Sequence, residues 1–119
     1  MSASSNNPPV SDRRLTPRVI GPFEGRRRGA LTVSLRIYDL SVGGCLIESL
    51  TEVSPGRRIK LDLELPYEGL ITVDAETLYT RPDYGFAVKF VDLSEETRAQ
   101  IVRAVERLRL LAQAEDQSA

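Results

Sequence analysis

The 119-residue chain contains no histidine, no tryptophan and one cysteine, Cys45. Without imidazoles there is no basis for a histidine-dependent catalytic constellation, and one thiol cannot make a zinc site. Carboxylates alone could in principle serve a metal or a hydrolytic site, but the acids do not cluster, so no enzyme is expected. The lone cysteine also rules out an internal disulfide framework and fits a reducing cytoplasm. No apolar run approaches the roughly 20 residues needed to span a bilayer. Residues 1–11 are polar and proline-containing, without the apolar stretch of a secretory signal. Neither export nor membrane insertion is therefore expected. Aromatics make up 6% of the chain, which leaves it poorly equipped to stack the bases of single-stranded nucleic acid.

The length suits a single domain with one core. A formal net charge of -1 hides a strong asymmetry. Residues 1–38 hold seven arginines (13, 14, 18, 26, 27, 28 and 36) against Asp12 and Glu24, a surplus of five positive charges that the remainder reverses. A local basic region on a mildly acidic chain points to a discrete anionic ligand rather than to a nucleic acid polymer. Guanidinium groups suit phosphate because two parallel N–H donors meet two oxygens, and their planes stack on bases. Arginine outnumbers lysine along the whole chain, so composition contributes to this pattern.

The N-terminal residues 1–12 read as a flexible tail. From Gly29 the sequence alternates with period 2: Leu31, Val33, Leu35 and Ile37 face one way, Thr32, Ser34, Arg36 and Tyr38 the other. "DLSVGG" interrupts the run, and Cys45 to Leu50 reads as a returning strand. "SPG" at 54–56, "PYEG" at 66–69 and "RPDYG" at 81–85 are turn signals. Between them Ile59, Leu61, Leu63 and Leu65 alternate cleanly, then Ile71, Val73 and Ala75, whose phase slips near Thr77–Leu78 as at a bulge. Phe86, Val88 and Phe90 complete the set. Ser94 is a good N-cap, with Glu95 and Glu96 favourably placed in the first helical turn. Ile101, Val105, Leu108 and Ala112 recur at helical spacing, widened by Val102. The expected class is all-β: short antiparallel strands that remove their edges by closing into a small barrel, plus a C-terminal helix. The domain is expected over residues 13–112, with a flexible tail at 113–119.

Two stretches carry chemistry. "RRLTPRVIG" at 13–21 gathers Arg13, Arg14 and Arg18 on an arm that Pro17 keeps from being helical. In "YDLSVGG" at 38–44, continuing the strand phase puts Asp39 and Ser41 at the next two inward positions, where apolar residues belong. An ionised aspartate offers only acceptors, suited to the N1–H and N2–H₂ donors of a guanine edge. Ser41 can donate or accept, and Gly43 and Gly44 permit close approach to the backbone. Taken alone, each stretch has an ordinary explanation: an Asx turn with a left-handed glycine, and a solvated basic linker.

Their order and joint presence resemble the PilZ domain family: R-x-x-x-R as Arg14 to Arg18, then D-x-S-x-x-G as Asp39 to Gly44. "GFAVKF" at 85–90 is similar to a late strand of such domains, with Lys89 where an arginine is common. The resemblance covers about residues 13–110 and implies a six-stranded antiparallel barrel that binds the bacterial second messenger cyclic di-GMP. It implies phosphate and guanine contacts for Arg14 and Arg18, and a guanine pocket at Asp39, Ser41 and Gly44. Gly43 is grouped with that site, and no cofactor is implied beyond the ligand. Arg13 before the first motif implies an intercalated pair of ligand molecules, since relatives with one molecule tend to carry an apolar residue there. With one evident domain the chain is expected to pass its signal to an effector protein, and motility, polysaccharide synthesis and transcription stay open as its output. Relatives without the motifs act as interaction domains that bind no nucleotide, the alternative reading.

Elsewhere, Arg26, Arg27 and Arg28 either extend the phosphate surface or, on the simpler reading, form a solvated loop or an edge that discourages strand pairing. Cys45 reads as a small buried apolar residue rather than a redox sensor, and the tyrosines at 38, 67, 79 and 84 could stack on bases, although packing and rim positions explain most of them.

Overall fold

The computed structural model describes residues 18–49, 53–81 and 83–118. In chain order the elements are β1 (Arg18–Val19), β2 (Phe23–Arg28), β3 (Val33–Tyr38), β4 (Leu40–Ser41) and β5 (Gly44–Glu48). They continue with β6 (Arg58–Leu65), β7 (Gly69–Arg81), β8 (Gly85–Val91) and α1 (Glu95–Ser118). Six strands form a closed antiparallel barrel in the order β2-β3-β5-β8-β7-β6, and β1 pairs separately with β4.

The interior is filled by the alternating residues. Leu35 and Ile37 of β3 and Ile59, Leu61, Leu63 and Leu65 of β6 are buried. So are Ile71, Val73 and Ala75 of β7 and Phe86 and Val88 of β8. Cys45 and Ile47 complete this core from β5. The anticipated phase slip is real: β7 and β8 lose register between Thr77 and Tyr79. The helix starts as its sequence requires, with the Thr97 amide donating to Ser94 Oγ at 3.1 Å. Its apolar row of Ile101, Ala104, Val105 and Leu108 packs on the core. Arg103 forks onto Glu68 in the β6–β7 turn, at 3.2 and 3.0 Å, and Arg107 lies 4.6 Å from the centre of the Tyr67 ring.

Several expectations are corrected. Leu31 lies in the four-residue β2–β3 connection, since Arg27 already pairs with Val33, and is 80% exposed. Val102 turns to solvent because the helix docks through the row a hundred degrees away, and Ala112 is exposed. Arg26–Arg28 do not form a loop. They end β2, the strand that alternation did not reveal, which pairs with both β3 and β6 to close the barrel.

The reason β2 escapes notice is physical. Its deepest inward position is Gly25, where a Cβ would come within 2.4 Å of Ile37 Cδ1 and 2.8 Å of the Asp62 carbonyl oxygen. The space an apolar side chain would need is filled by Ile37. On the outer face the partner of Arg26 is Asp62, a carboxylate only 2% exposed. Asp62 accepts from Arg28 Nε at 2.8 Å and from Thr72 Oγ1 at 2.8 Å, with Arg26 at 3.7 Å. Burial would raise its pKa, but the hydrogen bonds from Arg28 and Thr72 and the charges of Arg28 and Arg26 hold it below its ordinary 3.8.

A carboxyl whose folded pKa is lowered stabilises the fold above its unfolded pKa, and that stabilisation fades as pH falls through the folded value. Asp62→Asn is expected to cost about 1–3 kcal/mol at neutral pH, less than a fully buried pair because both arginines can rehydrate. In urea denaturation series the gap to the parent protein should narrow once pH drops below about 4; a gap independent of pH would refute this role.

Candidate functional site

β3 ends where the chain reverses hand. Asp39 has φ 50°, in the left-handed region, which aspartate tolerates better than most side chains. That twist changes the expected geometry. Asp39 and Ser41 are not the next inward residues; Leu40 is fully buried instead, and its two neighbours stay half-exposed on the barrel lip. Continuing the strand phase failed because one left-handed residue ends the strand.

β1 then lies against this lip. Arg18 pairs with Ser41 and Val19 with Leu40, and Val19 anchors the pair in the core. The Arg18 guanidinium forks onto Asp39: Nε donates to Oδ1 at 2.7 Å and a terminal N–H donates to Oδ2. These hydrogen bonds, more than the opposing desolvation, raise the Arg18 pKa. The two side chains remain 49% and 26% exposed, so the pair is worth only about 0–1 kcal/mol and can be exchanged for another partner at little cost.

Ser41 Oγ donates to the Gly44 carbonyl oxygen at a long 3.4 Å, closing the turn onto β5. The two glycines have different duties. At Gly44 a Cβ would sit 2.2 Å from the Val88 carbonyl oxygen, so β5 and β8 approach only because that side chain is missing. At Gly43 no atom lies within 4 Å of such a Cβ, leaving its backbone open to an approaching group. Cys45, one residue on, is buried and its thiol is pushed up to about 12, first by burial and then by the charge of Asp39. It is a packing residue, not a redox centre.

The structure thus brings Arg18, Asp39, Ser41, Gly43 and Gly44 together; Arg13 and Arg14 lie outside the described residues. It also adds Tyr79. The bulge at Leu78 reverses the facing of β7, so Tyr79 pairs with Ala87, Ala87 with Leu46 and Leu46 with Tyr38. This row lies on the outer face, with Tyr79 within electrostatic reach of Arg18 and Arg81 5.7 Å from its ring centre. The phase slip in the sequence was the available signal. A separate groove of about 430 Å³, lined by Glu24, Arg36, Glu48, Asp83 and Tyr84 among others, carries excess carboxylate and would repel a phosphate.

The PilZ domain model matches residues 12–107. The chain belongs to the PilZ domain family. No curated protein matches it in sequence. Among solved structures, one titled as the PilZ domain of YcgR from Escherichia coli with c-di-GMP superposes with TM-score 0.71 at 19% identity, covering 90% of this chain and 99% of that one. Longer YcgR, titled as in complex with c-di-GMP, gives 0.75 at 23% identity over 89% of this chain and 50% of that one. MrkH from K. pneumonia gives 0.69 at 21% identity over 97% and 55%. At these identities the likeness shows the shared fold; against the longer relatives this chain spans about half their length. No helix among the described residues is long and apolar enough to cross a membrane.

The glycine geometry predicts a contrast measurable by thermal unfolding. Gly44→Ala presses a methyl on backbone and should cost about 1–3 kcal/mol, whereas Gly43→Ala should stay within about 0.5 kcal/mol of the parent. Equal effects would contradict the close β5–β8 approach.

Proposed function

We propose that this PilZ domain is a cyclic di-GMP receptor whose binding residues are Arg13, Arg14, Arg18, Asp39, Ser41, Gly43 and Gly44. The observation that carries the reading is the convergence of Arg18 and Asp39, 21 residues apart, into one forked pair beside Ser41. Two structures of similar fold are titled as complexes with that dinucleotide. The ligand exchanges with the weak pair: a phosphate takes the Arg18 guanidinium, and a guanine edge takes the freed Asp39 carboxylate. The ring of Tyr79 offers a guanine a face to stack on. Arg14 lies four residues before Arg18, within about 14 Å along an extended chain, so both arginines can reach one phosphate pair. Arg13 beside it favours two intercalated ligand molecules per chain.

Ordering of the segment that carries Arg13 and Arg14 is the proposed signal. β1 and β4 both pack on α1, so a change at the lip is felt by the helix, and from there by an effector protein in motility, polysaccharide synthesis or transcription. The domain acts by binding in the cytoplasm, without catalysis.

Calorimetry with cyclic di-GMP should give micromolar or tighter binding with two ligands per chain. Arg18→Ala should weaken it by about 2–5 kcal/mol yet change folding stability by no more than about 1 kcal/mol; binding that survives both Arg14→Ala and Arg18→Ala would overturn the assignment. Asp39→Ala should reduce the preference for guanine over adenine dinucleotides. Trypsin cleavage after Arg13 and Arg14 should slow when the ligand is present, and an unchanged rate would refute ordering of the arm.

A further inference from the structure

A second basic site lies elsewhere on the barrel. A cavity of about 290 Å³ is lined by Arg27, Arg28, Arg57, Arg58, Lys60 and Asp74, among others. Three of its cations are already matched: Arg28 with Asp62 at 2.8 Å, Arg58 with Asp92 at 2.9 Å and Lys60 with Asp74 at 2.9 Å. Arg27 and Arg57 have no carboxylate partner among the described residues, so two positive charges are left over at one concavity. The position is set by the ladder. Gly44 pairs with Lys89, Lys89 with Glu76 and Glu76 with Arg58, which places Arg58 three strand spacings, about 14 Å, from the glycine turn.

We propose that this cavity binds a phosphomonoester dianion through Arg27 and Arg57. A phosphomonoester carries about −1.5 to −2 at neutral pH, which matches the surplus, and guanidinium forks suit its oxygens. At about 290 Å³ the cavity is at the small end of small-molecule pockets, which run from roughly 300 to 1,000 Å³, and so suits a compact group rather than a dinucleotide. Asp74 also lines the cavity, but its charge is taken by Lys60, so it does not repel the anion. The site does not depend on the cyclic di-GMP reading, and either can fail without the other.

The test is ¹⁵N NMR of the full chain titrated with inorganic phosphate at about pH 7.5, against sodium chloride at matched ionic strength. Saturable shifts are expected at the backbone and Nε–H signals of Arg27 and Arg57. They should need more phosphate at about pH 5, where the second charge is lost. Arg57→Gln, an exposed change that the barrel should tolerate, should weaken binding at least about tenfold, ~1.4 kcal/mol; Arg27→Gln with Arg57→Gln should abolish saturation. Heats with cyclic di-GMP should be unchanged in Arg57→Gln. Glycerol phosphate and a phosphoserine peptide with its unphosphorylated control identify the source: tighter binding of the phosphopeptide alone indicates a modified partner, and equal binding indicates a small metabolite. Shifts reproduced by sodium chloride, absent at Arg27 and Arg57, or unaffected by Arg57→Gln would overturn the proposal.

Discussion

Barrel closure rests on β2 lying between β3 and β6. The strand contributes little apolar surface of its own, so its place depends on two complementary fits. Inside, Gly25 leaves room for Ile37 to fill the interior. Outside, Asp62 collects Arg26 and Arg28, which would otherwise repel one another along the same edge. Closing the barrel satisfies the backbone of both potential edges and brings β3 round to the lip at which the chain turns left-handed.

That turn is the hinge between fold and site. With Asp39 in a left-handed conformation, Leu40 drops into the core while Asp39 and Ser41 are left on the rim. β1 can then pair with β4 and hand Arg18 to Asp39. The same short sheet touches α1, and α1 is clasped to the β6–β7 turn by Arg103–Glu68 and Arg107–Tyr67. A weak, half-exposed ion pair thus stands at one end of a packed chain of elements, where exchanging its partner is cheap and the consequences have a route outward.

Much of the architecture was legible in the sequence because alternation and turn chemistry are local. β6, β7 and β8 followed from Leu61, Val73 and Val88 recurring with period 2, and Ser94 announced the helix. β2 did not follow, since a glycine inside and three arginines in its second half carry no alternating signal; only the resemblance to PilZ domains required a sixth strand. The inward placement of Asp39 and Ser41 was wrong because one backbone dihedral reversed the phase. Tyr79 reached the site only through a bulge whose existence, but not its consequence, could be read from the slip at Leu78.

The class of fold, the single core and the two motifs could be read from the chain before folding, since these depend on residue types at short, regular spacings. Three features emerge only in the closed barrel: Arg18 meets Asp39, Gly44 and not Gly43 is sterically required, and Arg27 shares a cavity with Arg57. Each of these is a meeting of segments brought together by barrel closure and strand register, which no local pattern encodes.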